Sequence, residues 1–442
     1  MNRSTIEAGL LTVAAGVLVL LSVLPWNPLA RLPGGGMLRG EILRGAVAVQ
    51  NVETFELGVG PVAVYNLAGT VEVVAGSGSE VRVEVERRGV DGDALTVDVD
   101  RIRGREALRI RYPSDRIVYR DADGHLDTSV RVDDDGTFFD GDRGATGWLS
   151  SLFDGDRVEI RDSGRGLEAW AHVRVLVPAG GDVATYLATG ESRVEGVDGD
   201  LRVETGQGRV HASDTRGSLV IDTGSGPVTV EGVEGELNVD TGSGSVDVRN
   251  ILGDVLVDTG SGSVEVDDAE GELSIDTGSG SVEVASVSGR SLLVDTGSGS
   301  VDGNGMSVES LDVDTGSGSV RLDRVAARQV RLDTGSGRIS VELLEDAESV
   351  MVDTGSGGVS LAFAGAVGSV DVDTGSGSVD VTVNDRAGAR LVLDAGGRAD
   401  VDSGLPFDVG ESRRGYLEGR LGDGTGRIHV ETGSGSIRVR GS

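Results

Sequence analysis

Asp-Thr-Gly-Ser-Gly occurs intact nine times between Asp222 and Asp373, and its residue types invite two kinds of chemistry. Asp-Thr-Gly can supply each half of an aspartic-protease pair, which needs two carboxylates converging in a cleft and sharing one proton. Nine copies along a line, without two lobes of matching size, do not build that cleft. A ladder of Asp222, Asp240, Asp258, Asp276, Asp295, Asp314, Asp333, Asp353 and Asp373 better suits a hard cation such as Ca2+. The motif order nevertheless differs from the calcium-binding β-roll repeat G-G-x-G-x-D-x-U-x. The preferred reading is an Asx-type turn, in which each Asp accepts N–H bonds from the Gly and Ser just after it, with the calcium ladder kept as an alternative.

Other candidates lie outside the motif. Outward strand positions in consecutive repeats carry Asp247, Glu265, Glu283 and Asp302, an acidic stripe that is either a solvated face or a docking strip for a cationic partner. Phe138, Phe139, Trp148 and Phe153 fall in an aromatic, Asp- and Gly-rich stretch and could meet a glycan or protein ligand, or form a small core of their own. Asp121 to Asp127 and Asp133 to Gly136 resemble calcium loops without completing the spacing. His125, His172, His211 and His429 are dispersed and define no metal site, and the absence of cysteine removes disulfides and thiolate ligands. No lysine is present, and a net charge of -33 argues against nucleic acid as a partner. No compact acid, base and arginine constellation marks an enzyme, although pectate-lyase-like enzymes also use β-helices.

The elements that must carry these residues follow from the spacing. Successive motif aspartates are 18, 18, 18, 19, 19, 19, 20 and 20 residues apart, a period that means a solenoid. One repeat contains two short alternating strands, Ser263-Val-Glu-Val266 and Glu272-Leu-Ser-Ile275, and two turns. Glycines after the second strand permit a sharp reversal. Each coil has too few apolar side chains to bury them alone, so coils must stack in register. The fold is therefore an all-β parallel β-solenoid or β-helix with 18–21-residue repeats. About 12 to 13 coils at roughly 4.8 Å each give a rod on the order of 60 Å long. The motif Thr points inward and forms a ladder between coils. Because the motif is constant, the growing interval must be inserted in the opposite half of the coil, where Asp267 to Gly271 becomes Leu343 to Ser349.

The chain divides into six parts. Residues 1–30 include the uncharged apolar run 8 to 24, read as an uncleaved transmembrane signal anchor rather than a signal peptide, with the repeats outside the cytoplasm. Residues 31–45 are a linker, 46–112 irregular first coils, and 113–168 the aromatic insertion. Residues 169–397 form the regular DTGSG solenoid and 398–442 a capping coil.

The strand series Val62 to Val85, the strand Val173-Arg-Val-Leu-Val-Pro178, the serial turns and the closing Thr432-Gly-Ser-Gly-Ser-Ile-Arg-Val439 resemble the bacterial putative-adhesin family of β-solenoid domains over residues 47 to 442. The resemblance implies an envelope-associated, non-enzymatic domain and brings no catalytic residues; the insertion is unusual for it. The expectation is a membrane-anchored, extracytoplasmic scaffold of the cell envelope, without a cofactor, that displays the insertion and an acidic face to a protein or glycan. A calcium-binding β-roll and a glycan-processing β-helix enzyme are the alternatives.

Overall fold

The computed structural model describes residues 52–139 and 155–442, apart from 59, 123, 346, 385, 386 and 403. The expected anchor and linker, with Trp148 and Phe153, lie outside the described residues. Among these, no helix is long and apolar enough to cross a membrane.

The expected parallel β-solenoid is present, with about 11 turns rather than 12 to 13. Alternating Val, Leu and Ile point into the coil and are nearly fully buried, as along Val246, Val248, Val264, Val266, Val282 and Val284. In each strand the residue between them faces outward. The regular coils superpose in exact residue register: Asp240 pairs with Asp258, Asp258 with Asp276 and Thr259 with Thr277. Rings are nearly absent from this interior; Phe363 is a buried exception in the wider late coils.

Besides the sheet, one side-chain ladder joins successive coils, seated by a bond within each motif. The Gly262 N–H donates to Thr259 Oγ1 (3.0 Å), and the Thr277 hydroxyl donates to the Gly262 carbonyl of the preceding coil (3.2 Å). The threonine ladder expected from the sequence is thus real, but it runs through glycine backbone rather than hydroxyl to hydroxyl. Its first member differs: Leu187, not Thr189, stands in register with Thr205, and Thr189 occupies the motif's serine position. The glycines serve close stacking more than reversal, since a Cβ on Gly262 would lie 1.6 Å from the Gly244 carbonyl oxygen.

The opposite corner of the coil has a left-handed residue in each of eight consecutive repeats: Asp214, Gly232, Asn250, Asp268, Ser286, Gly305, Arg324 and Leu343, with φ from 51° to 71°. Each follows the motif acid, or Glu204, by 10 residues. From corner to next motif acid the interval grows from 8 residues at Asp214 to 10 at Leu343. The drift in period is confined to the side of the coil expected from the sequence, immediately past this corner.

The ends are not simple coils. At the beginning are β1 (Val52–Leu57), β2 (Val62–Ala75), β3 (Val81–Arg88), β4 (Thr96–Ile102) and β5 (Arg105–Arg111), followed by β6 (Arg116–Val118), β7 (Asp127–Val132), β8 (Asp156–Arg161), β9 (Trp170–Val177) and β10 (Gly181–Glu195). β9 lies between β2, which it meets in parallel, and β3, which it meets antiparallel. β1 and β4 also pair antiparallel, with β3 and β5 respectively. These pairings, where irregular coils were expected, lower the turn count. At the other end, Gly426–Thr432 is inserted between Ser369–Thr374 and Ala389–Ala395, and Ile437–Gly441 between Val379–Val383 and Ala399–Val401. Coil order in space therefore departs from chain order. Antiparallel strands Tyr416–Leu421 and Phe407–Arg413 then cover Ala389–Ala395, blunting an edge that parallel stacking would leave open.

Candidate functional site

The insertion builds a second structure on the side of the rod. Its strands β6, β8 and β7 form a three-stranded sheet separate from the solenoid sheet. The outward faces of β2 and β10 are apolar at Ala63, Tyr65, Ala184 and Tyr186, and they pack with Ile117, Tyr119, Leu126, Phe138 and Ile160. Tyr65 and Tyr186 stack with ring centroids 4.4 Å apart, and Phe138 meets Tyr65 edge-on at 5.7 Å. Phe138 belongs to this small core and is 3% exposed. Phe139 is 40% exposed, at φ 64°, and its ring lies over Gly206. Outward tyrosines at 65 and 186 were missed as site-building residues. Apolar residues on both faces of Val62-Ala-Val-Tyr65 were the available signal, because a one-sided strand would be polar there.

A buried polar clamp fixes the joint. Tyr112 Oη donates to Asn66 Oδ1 (2.8 Å), and Asn66 Nδ2 donates to the Ala171 carbonyl (2.9 Å). Burial pushes the Tyr112 phenol far above its ordinary range, so it remains a donor. Arg109, also buried, donates to Asp100 and to the Asp135 carbonyl.

Between the insertion and the rod lies a cleft of about 370 Å³. Its floor is the solenoid's turn column, with Thr189, Gln207 and Ser225 at successive coils. A parallel row places His172, Thr70 and Glu191 in register, with Arg209 beside Glu191. Tyr119, Asp121, Ala122 and His125 form the wall. Thr70 Oγ1 and His172 Nδ1 are 2.7 Å apart, and His172 Nε2 is 3.9 Å from Asp121 Oδ2. Burial, assisted by Arg88, lowers the His172 pKa and keeps the imidazole neutral at neutral pH.

This hydroxyl, imidazole and carboxylate series has the order of a nucleophile, base and orienting acid. The backbone around Thr70 offers no electrophile stabiliser for acyl transfer, since Thr70 lies inside β2 and is laddered on both sides by β9 and β10. Backbone amides committed to a sheet cannot bind a developing oxyanion. The arrangement can hold a polar ligand through donors and acceptors of both signs.

The motif carboxylates sit elsewhere. From Asp240 onward each Asp is the last outward residue of a strand, not the first residue of a turn. Of the two amides an Asx-turn would use, that of Gly260 is engaged otherwise, donating to the Thr241 carbonyl of the preceding coil. Burial, followed by the charges of neighbouring aspartates, raises the pKa of Asp258, Asp314 and Asp353. No cluster of three or more His, Cys, Asp or Glu side chains suited to a metal occurs among the described residues.

Asp247, Glu265, Glu283 and Asp302 are brought into one cross-coil row. Arg249 bridges Asp247 at 2.9 Å and Glu265 at 3.0 Å, while Arg321 meets Asp302 at 2.9 Å. The stripe is in part internally neutralised, which weakens it as a docking strip for cations.

Residues 267–440 match the family model described as Toastrack DUF4097. The adhesin-like family expected from the strand series and the closing coil is supported by that match. No curated protein matches the chain. A solved structure of a putative cell adhesion protein from Clostridium sporogenes is similar over 89% of this chain and 100% of that chain, with 7% identity and a TM-score of 0.16.

Proposed function

We propose that the protein is a non-enzymatic scaffold of the cell envelope, anchored through residues 1–30, whose rod presents the insertion to an external ligand. The observation that carries this reading is the side sheet of β6, β7 and β8, seated on a second hydrophobic core against β2 and β10. A uniform solenoid needs no such addition for stability, because its coils already bury one another. Long excursions from a regular scaffold are characteristically functional. The apolar run at 8 to 24 supports anchoring, and the Toastrack match over residues 267–440 supports an interaction role rather than a catalytic one.

The test is fractionation of a bacterium expressing the full chain with a C-terminal tag. The protein should remain in the membrane pellet after alkaline carbonate, and the tag should be cleaved by protease added outside the cytoplasmic membrane. Recovery as a carbonate-soluble protein, or protection of the tag until that membrane is breached, would sink the reading.

A further inference from the structure

Resting on the display reading, we propose that the cleft between the insertion and the turn column binds a short, uncharged, hydroxyl-rich chain: a glycan segment of two or three sugar units lying along the rod. The cleft has the capacity, at about 370 Å³, and its polar groups converge from two independent elements. Gly190, Gly208 and Gly226 form a lane bare of side chains along the floor. Thr189, Gln207 and Ser225 border it on one side, and Thr70, Glu191 and Arg209 on the other. Successive coils repeat these groups at about 4.8 Å, a spacing comparable to the length of one pyranose ring.

Charge selects among ligand classes. Asp121 and Glu191 oppose an anion, and Glu191 is engaged by Arg193 at 2.8 Å. Arg209 opposes a small cation, and no metal-type cluster occurs among the described residues. Neutral His172, the Gln207 amide and the floor hydroxyls can each donate and accept, the requirement for recognising sugar hydroxyls. The turn column continues past the cleft through Ser243, Ser261 and Ser279, so one end of the trough opens on a hydroxyl track that admits a longer chain.

The experiment is calorimetric titration of the full chain in detergent with β-1,4-linked glucose, β-1,4-linked N-acetylglucosamine and α-1,4-linked glucose tetrasaccharides. Each sugar is recovered afterwards and sized by chromatography. One of the three should bind and be recovered intact. Gln207→Leu and Glu191→Leu should each weaken binding at least tenfold with an unchanged circular dichroism spectrum, whereas Ser279→Ala leaves it unchanged. Binding should also fall as pH drops through the His172 titration, and His172→Gln should flatten that dependence. Failure of all three sugars to bind, or binding indifferent to Gln207 and Glu191, overturns the site while leaving envelope display intact. Shortened sugars at recovery would instead overturn the non-enzymatic reading.

Discussion

At Leu343 a branched aliphatic side chain occupies a left-handed backbone, φ 54°, while remaining 49% exposed. That conformation costs an L-residue about 1–2 kcal/mol, and glycine avoids it at some entropic cost. Leu343→Gly is expected to stabilise the rod by about 0.5–1 kcal/mol in urea unfolding, since little burial is lost. Gly262→Ala should do the reverse and cost more than about 3 kcal/mol, because its Cβ would meet backbone of the preceding coil and not a side chain that could turn away. Equal effects of the two substitutions would refute this account. The glycine at 262 was legible as necessary, although its reason was not. Motif spacing suggests a turn, whereas the need arises from the preceding coil, 18 residues away. The left-handed corner was missed: Asp214, Gly232, Asn250, Asp268 and Gly305 are types that favour it, but Ser286, Arg324 and Leu343 in the other repeats are ordinary ones that hide the pattern.

Strands were the most legible elements, because one buried face imposes strict alternation. The boundary of the motif was misread for the same reason. Asp-Thr continues the alternation, Asp outward and Thr inward, so the strand extends two residues into what resembled a turn. The outcome is a column of like charges with a definite pH signature. Asp258, Asp314 and Asp353 have folded pKa values raised above the ordinary aspartate value of about 3.9. The native state therefore binds more protons than the unfolded chain between those values, and stability rises as pH falls through that window. Glu234 and Glu418 are held low by hydrogen bonds from Arg216 and Arg390; their contribution is lost only below the ordinary glutamate value, 4.5. His172, whose folded pKa is lowered, costs stability as the pH falls below its ordinary value of 6.5, so the test is made in His172→Gln: there the thermal midpoint should rise as the pH is lowered from 7 toward 4.5. Asp258→Asn with Asp314→Asn should raise the pH 7 midpoint and narrow the difference. A lower midpoint in the double variant would mean that these carboxylates are bonded after all. A saturable rise with added calcium, lost in the variant, would make the column a cation site.

For the whole molecule, repetition revealed the solenoid but concealed its ends. Residues 426–441 carry the same motif as every other coil, Thr432-Gly-Ser-Gly, and nothing local distinguishes a coil added on top from one slipped between two others. The insertion sheet was visible as an interruption and its small core was anticipated, yet its seat on Tyr65 and Tyr186 depends on faces of strands far apart in the chain. Deleting residues 426–442 should leave a slot flanked by unpaired edges of Ser369–Thr374 and Ala389–Ala395. Such edges recruit other chains, so the shortened protein should self-associate in light scattering where the full chain does not. Monodisperse truncated protein would show that the neighbouring coils close the gap.

The intercalated coil also sets a timetable. Residues 389–401 leave the ribosome before residues 426–441, yet in the finished rod they lie beyond them. The growing chain cannot therefore lay down its final coils in the order of synthesis. It must hold a vacancy open, or part coils already joined, until the later segment arrives. A chain interrupted anywhere in between carries that vacancy as a mark of incompleteness, which any protease or chaperone that senses open strand edges can read.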